Sequence, residues 1–176
     1  MTTYVAFLRA INLGATRKFP KDAIVAATEG AGFTGVATHI NTGNVRLETT
    51  LRSRERIEAA LERAYLTDRG FEVPTMTFTC PELRTVADEA DRLGEGHTGK
   101  QYVSLLKADP GSEVAAMLEA MSTEQERAVV VGRAVHLLLG ENYHQARISN
   151  SAVEKLLGPA TNRNVTVIRA LVQKWC

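Results

Sequence analysis

The sequence says nearly the same thing twice. Tyr4–Ala10 reads YVAFLRA and Tyr102–Ala108 reads YVSLLKA, with Tyr, Val, Leu and Ala shared and Ala/Ser, Phe/Leu and Arg/Lys elsewhere. Each run is short and apolar and is followed by turn residues, Asn12-Leu13-Gly14 in one case and Asp109-Pro110-Gly111 in the other. That is the pattern of a central strand. Buried strands draw on few residue types, so the match gains weight only from the order of elements behind it.

After the first copy, Phe19-Pro20 opens a helix, since proline is tolerated in a first turn. Ile24, Ala27, Thr28 and Ala31 supply its buried stripe, and Gly30 and Gly32 end it. Val36, Thr38 and Ile40 alternate as in a strand, Thr42-Gly43-Asn44 is a hairpin signal, and Val45–Thr49 returns. Ser53 is a good N-cap for a helix carrying Ile57, Ala60, Leu61, Ala64 and Tyr65, and Phe71–Thr79 reads as the next strand. The order is βαββαβ, the ferredoxin-like plait.

Thr79-Cys80-Pro81-Glu82 has the form of a capping box, followed by a helical stripe of Leu83, Val86, Ala87, Ala90 and Leu93. Gly94–Lys100, GEGHTGK, is a glycine-rich break. After the second copy come a helix with Val114, Met117, Leu118 and Met121, a hairpin turning at Gly132-Arg133, and a helix whose capping box reads Ser151-Ala152-Val153-Glu154. No fourth strand is evident there. Val165, Ile168, Leu171, Val172 and Trp175 predict a terminal helix instead. The expected fold is therefore α+β: two tandem ferredoxin-like (α/β plait) halves with a C-terminal helix. The expected boundaries are residues 1–80, a connecting helix and linker over 81–99, and residues 100–176.

Composition narrows the function classes. The chain has 176 residues, 44% apolar and 23% charged, with formal net charge +1, so no global field recruits nucleic acid or an anionic membrane. No apolar run approaches the roughly 18 residues of a membrane span, and the N-terminus lacks the features of a secretory leader. Nothing suggests that the two cysteines, Cys80 and Cys176, pair. The expectation is a cytoplasmic protein that does not engage membranes.

The plait places the loop after its first strand beside the hairpin joining its second and third, because strands one and two are parallel and end at the same edge. Arg9, Asn12, Gly14, Arg17 and Lys18 are thereby expected near Thr42, Gly43 and Asn44. One reading makes these residues tight turns and nothing more. The other makes them a polar pocket with a basic rim.

The same residues carry a family resemblance. YVAFLRAINLG, NTGNVRL and ATNRNVTVIRAL resemble the three marks of the bacterial domain-of-unknown-function family 1697: an aromatic strand running into L-R-G-I-N-V-G, then S-G-N-V, then T-x-R-N-W-N-T-V. The resemblance spans essentially the whole chain. It implies paired ferredoxin-like units and supplies no activity, cofactor or catalytic residue. The matching positions are Arg9, Asn12, Gly14, Gly43, Asn44, Thr161, Arg163 and Asn164. Ala10 and Thr42 replace the usual Gly and Ser, and Val165-Thr166-Val167 replaces W-N-T, so a role for that Trp is absent. These residues suit either a site or a set of caps and joints, with Thr161, Asn162 or Asn164 capping the terminal helix.

Other chemistry finds little footing. Gly94–Gly99 is a literal G-x-G-x-x-G, but it follows a helix and precedes a strand, the reverse of a dinucleotide loop. His39, His97, His136 and His144 show no zinc spacing, and there is no C-x-x-C. His39 and His136 are expected to be surface or partly buried residues; His144, in a loop, is a candidate proton carrier. No RNP1-like aromatic pattern marks the third strand, and Tyr4 and Tyr102 are expected to pack between layers. No metal or cofactor is expected. The expected function is a non-catalytic or regulatory module binding a small anionic ligand or a nucleic-acid backbone through Arg9, Asn12, Gly14, Lys18, Gly43, Asn44, Arg163 and Asn164. An enzyme acting on a small polar or phosphorylated metabolite at the same edge, with His144 or a nearby carboxylate as proton carrier, is the alternative.

Overall fold

The computed structural model describes residues 1–176. The chain divides into two compact units: Met1–Glu82 with Trp175, and Leu83–Lys174 with Cys176. The fold is α+β, two four-stranded antiparallel sheets each carrying helices.

The first unit runs β1 (Thr2–Leu8), α1 (Lys21–Gly30), β2 (Thr34–His39), β3 (Asn44–Thr49), α2 (Arg54–Arg69) and β4 (Thr75–Thr79). Its sheet order is β2-β3-β1-β4, the ferredoxin-like arrangement with the first strand central. Alternation decides which side chains meet the helices. Tyr4, Ala6 and Leu8 of β1 and Val45 and Leu47 of β3 pack with Phe19, Ile24, Ile57, Leu61 and Tyr65 in one core. Tyr4 is thus a packing tyrosine. Tyr65 is fully buried, its hydroxyl 2.9 Å from Thr28 Oγ1, and burial pushes its pKa up.

The caps follow from sequence. Ser53 Oγ accepts from Arg56 N at 3.3 Å, and Gly70, at φ 75°, closes α2 through its N–H to Leu66 O. Thr79 and Glu82 form the reciprocal capping box, Thr79 N donating to Glu82 Oε2 at 2.8 Å and Glu82 N to Thr79 Oγ1 at 3.4 Å. The fourth strand begins at Thr75 instead of Phe71, because Pro74 cannot donate to a ladder.

The edge of β4 is occupied by carboxylates. Thr75 N donates to Glu62 Oε1 (2.9 Å), Thr77 N to Glu58 Oε1 (2.8 Å) and Thr79 N to Glu82 Oε2 (2.8 Å). Alternate residues of an edge strand point their N–H groups outward, and each of these three meets an acid.

The second unit takes up most of α3 (Cys80–Gly94), then β5 (Lys100–Leu106), α4 (Ser112–Glu119), β6 (Glu126–Val131), β7 (Ala134–Leu139), α5 (Asn150–Leu157), β8 (Ala160–Asn164) and α6 (Val165–Trp175). Its sheet order, β6-β7-β5-β8, is that of the first unit. Individual bonds correspond as well: Leu8 N donates to Gly43 O and Leu106 N to Arg133 O, both at 2.8 Å, while Arg9 N reaches Pro74 O and Lys107 N reaches Pro159 O. Leu106, Leu118, Val135, Leu137, Ile148 and Val153 form the core of the helix-covered face, with Tyr102 packed against it.

Four expectations are corrected. A fourth strand does exist: ATNRN, too polar and short to register as one, pairs with β5 in the register Val103↔Arg163. The cap of α5 is Ser149, whose Oγ accepts from Ala152 N, and Glu154 instead accepts from Ala160 N. His136 is fully buried because it lies on a central strand. Neither cysteine is a free thiol, which removes the cysteine argument for a reducing compartment. No helix is long and apolar enough to cross a membrane.

Candidate functional site

The two loops that the topology brings together in the first unit do meet. Asn12 Nδ2 donates to Asn41 O at 2.9 Å, tying the β1–α1 loop to the β2–β3 hairpin. The same nitrogen donates to Phe19 O, and Asn12 Oδ1 accepts from Phe19 N. Asn12 N donates to Arg17 O, closing the loop on itself. Arg17 locks it from outside, donating to Ala10 O and, at 2.6 Å, to Glu72 O, with its guanidinium 4.5 Å over the Phe71 ring.

The hairpin side is equally fixed. Asn44 is fully buried and its Nδ2 donates to His39 O (3.0 Å) and Thr42 Oγ1 (2.9 Å). Gly43 sits at φ 78°, where an added Cβ would lie 2.7 Å from Leu8 Cβ. Glycine is required there twice over, by conformation and by space. The Asn12 and Asn44 amides thus join and brace the two loops through bonds to Phe19, Asn41, His39 and Thr42.

What this framework holds up is more unusual. The chain has four non-glycine residues at positive φ, and all four lie in these two loops: Ala10 (57°), Asn12 (53°), Arg17 (53°) and Ile40 (50°). Asparagine tolerates the left-handed region; a β-branched isoleucine does so only under strain. Such residues cost of order 1–3 kcal/mol each and persist where their surroundings over-determine them. The loops display Leu13, 56% exposed, and Ile40, 40% exposed. Gly14, at φ 56°, is exposed with open space around it. Lys18 is exposed and its side chain makes no hydrogen bond or ion pair, only its carbonyl accepting from Arg69. Arg9 is half-buried. Close by, α1 starts after Pro20 with no side-chain cap, leaving first-turn amides open.

The second unit treats its named residues differently. Arg163 is buried on β8, its Nη1 donating to Thr161 Oγ1 and Asn162 O, both at 2.8 Å. Burial pulls its pKa down to about 10, leaving it charged at neutral pH. Asn164 caps α6, Oδ1 accepting from Thr166 N at 2.9 Å. His144 is exposed and lies against the Tyr143 ring at 3.9 Å between centroids. At the bend corresponding to the β1–α1 loop, the second unit has only residues 107–111 before α4, with glycine at its positive-φ position, Gly111.

Sequence reasoning missed Leu13 and Ile40. No residue type announces a strained backbone, and the only signal was an isoleucine at the mouth of a hairpin. No cluster of His, Cys, Asp and Glu could hold a metal ion.

A family model described as "Protein of unknown function (DUF1697)" matches residues 1–136. No curated protein matches the chain in sequence. Among solved structures, the chain is similar to that of the conserved bacterial protein SP0830 from Streptococcus pneumoniae, with a TM-score of 0.77 at 17% identity, covering 98% of this chain and 97% of the other. At that identity the likeness concerns the fold.

Proposed function

The chain belongs to the DUF1697 family of proteins of unknown function, and we propose that it is a non-catalytic module that binds a small anion at the loop edge of its first unit. The observation that carries this reading is the confinement of every positive-φ non-glycine residue to two loops tied by Asn12. Strain concentrated at one edge is a mark of ligand clamps and switch regions. The chemistry favours an anion because Lys18 is uncommitted, Gly14 is exposed, and the start of α1 lacks a side-chain cap. The alternative is catalysis with His144 or a nearby carboxylate as proton carrier; His144 is exposed and its ring lies against Tyr143.

The test is a chemical-shift titration of the intact protein with inorganic phosphate, pyrophosphate and a single-stranded oligonucleotide. Saturable shifts in residues 9–18 and 39–44, lost in Lys18→Ala, are expected. Tighter binding of the oligonucleotide than of pyrophosphate would move the reading to a nucleic-acid backbone. Absence of saturable shifts with all three probes overturns it.

A further inference from the structure

We propose that the second unit carries a separate site for a small zwitterion, an α-amino acid, in the cavity beneath the loop after β7. This cavity of about 450 Å³ is lined by Glu126, Glu141, Asn142, Tyr143 and Arg147, among others. Ligand pockets are commonly roughly 300–1,000 Å³, so it is large enough for one amino acid and too small for a dinucleotide.

Its floor is a preorganised carboxylate. Glu126 Oε1 accepts from Arg147 N at 2.9 Å and Oε2 from Ile148 N at 2.8 Å. Each oxygen keeps a lone pair for another donor. The guanidinium of Arg147 belongs to the residue whose N–H holds that carboxylate, yet it forms no ion pair with Glu126 or with any other group of the protein. A fixed negative group and an uncommitted positive group thus line one cavity without neutralising each other. A molecule carrying an ammonium and a carboxylate on adjacent atoms answers both, the carboxylate on the planar fork of Arg147 and the ammonium on Glu126. The side chains of Asn142 and Glu141, also uncommitted, stand at the wall. Glu141 adds a second negative charge, so a basic side chain on the ligand is favoured over an acidic one.

Titrations of the intact protein followed by amide chemical shifts, with L-lysine, L-glutamate, acetate and methylamine as probes, test this. L-Lysine is expected to bind saturably near the millimolar range, with shifts confined to residues 123–126 and 140–148 and affinity at least about tenfold above acetate or methylamine. Arg147→Ala, at an exposed position with no side-chain partner, is expected to weaken lysine about tenfold or more while preserving the spectrum elsewhere. Glu141→Gln is expected to abolish the preference for lysine over glutamate. No saturable binding of either amino acid, equal binding of acetate or methylamine, or unchanged affinity in Arg147→Ala overturns the proposal. The outcome is independent of anion binding in the first unit, since the two sites report through different residues.

Discussion

Every polar atom of the Asn12 amide is committed to the loops it joins, and this makes a sharp contrast with Lys18. Asn12→Ala would remove three hydrogen bonds and leave Phe19 N and two carbonyls to find other partners. At about 1 kcal/mol per bond, a loss of about 2–3 kcal/mol in urea denaturation is expected. Lys18→Ala touches nothing and is expected to stay within about 0.5 kcal/mol of the parent.

His136 makes a second residue-scale prediction. It is fully buried on β7 and neither ring nitrogen has a hydrogen-bond partner. Burial lowers its pKa from 6.5 to about 4, opposed by the Glu89 carboxylate and assisted by Arg92. A group whose folded pKa lies below its unfolded value stabilises the fold above the unfolded pKa and loses that contribution as pH falls through the folded one. The window is therefore pH 6.5 down to 4, and the loss about 3 kcal/mol across it. Urea midpoints measured from pH 7.5 to 4 should show this slope, and His136→Leu should flatten it.

At the scale of elements, the edge of β4 decides what the first sheet can do. Glu58 is 3% exposed and its Oε1 serves both Thr77 N and Thr77 Oγ1. Glu58→Ala is expected to cost about 3 kcal/mol, because a buried N–H loses a charged acceptor. Light scattering on partial denaturation should rise in the same variant, since the edge would then offer a free donor to another chain. The other sheet guards its edges similarly, with Val130 N on Glu119 and Ala160 N on Glu154.

Elements differ in how plainly the sequence announces them. The strands β1 and β5, the helix stripes and the Thr79–Glu82 cap were legible because periodicity and capping chemistry are local. The strand β8 was not, because its five residues become a strand only through pairing with β5. The site was legible as a meeting of two loops, which topology dictates. Its strained backbone and exposed Leu13 and Ile40 were not, because the loops are held by bonds between residues far apart in sequence, Asn12 to Asn41 O and Arg17 to Glu72 O.

For the whole molecule, the two units share a strand order and equivalent bonds, yet only the first holds strained loops. Between β1 and α1 lie residues 9–20, and between β5 and α4 only residues 107–111. The longer connection is also part of the core, since Phe19 is fully buried and meets Tyr65 edge-on at 5.2 Å. Replacing it with the shorter turn would therefore unsettle the first unit as well as remove its exposed loop.

The correspondence between Leu8 N–Gly43 O and Leu106 N–Arg133 O has an experimental consequence. The chain contains its own reference. Hydrogen exchange at Leu8 and Leu106 samples the same bond in the same sheet position, in one tube, under one set of conditions. Slowing of both on adding phosphate would report a general salt effect; slowing of Leu8 alone would report binding. The second unit is the blank against which the first can be read.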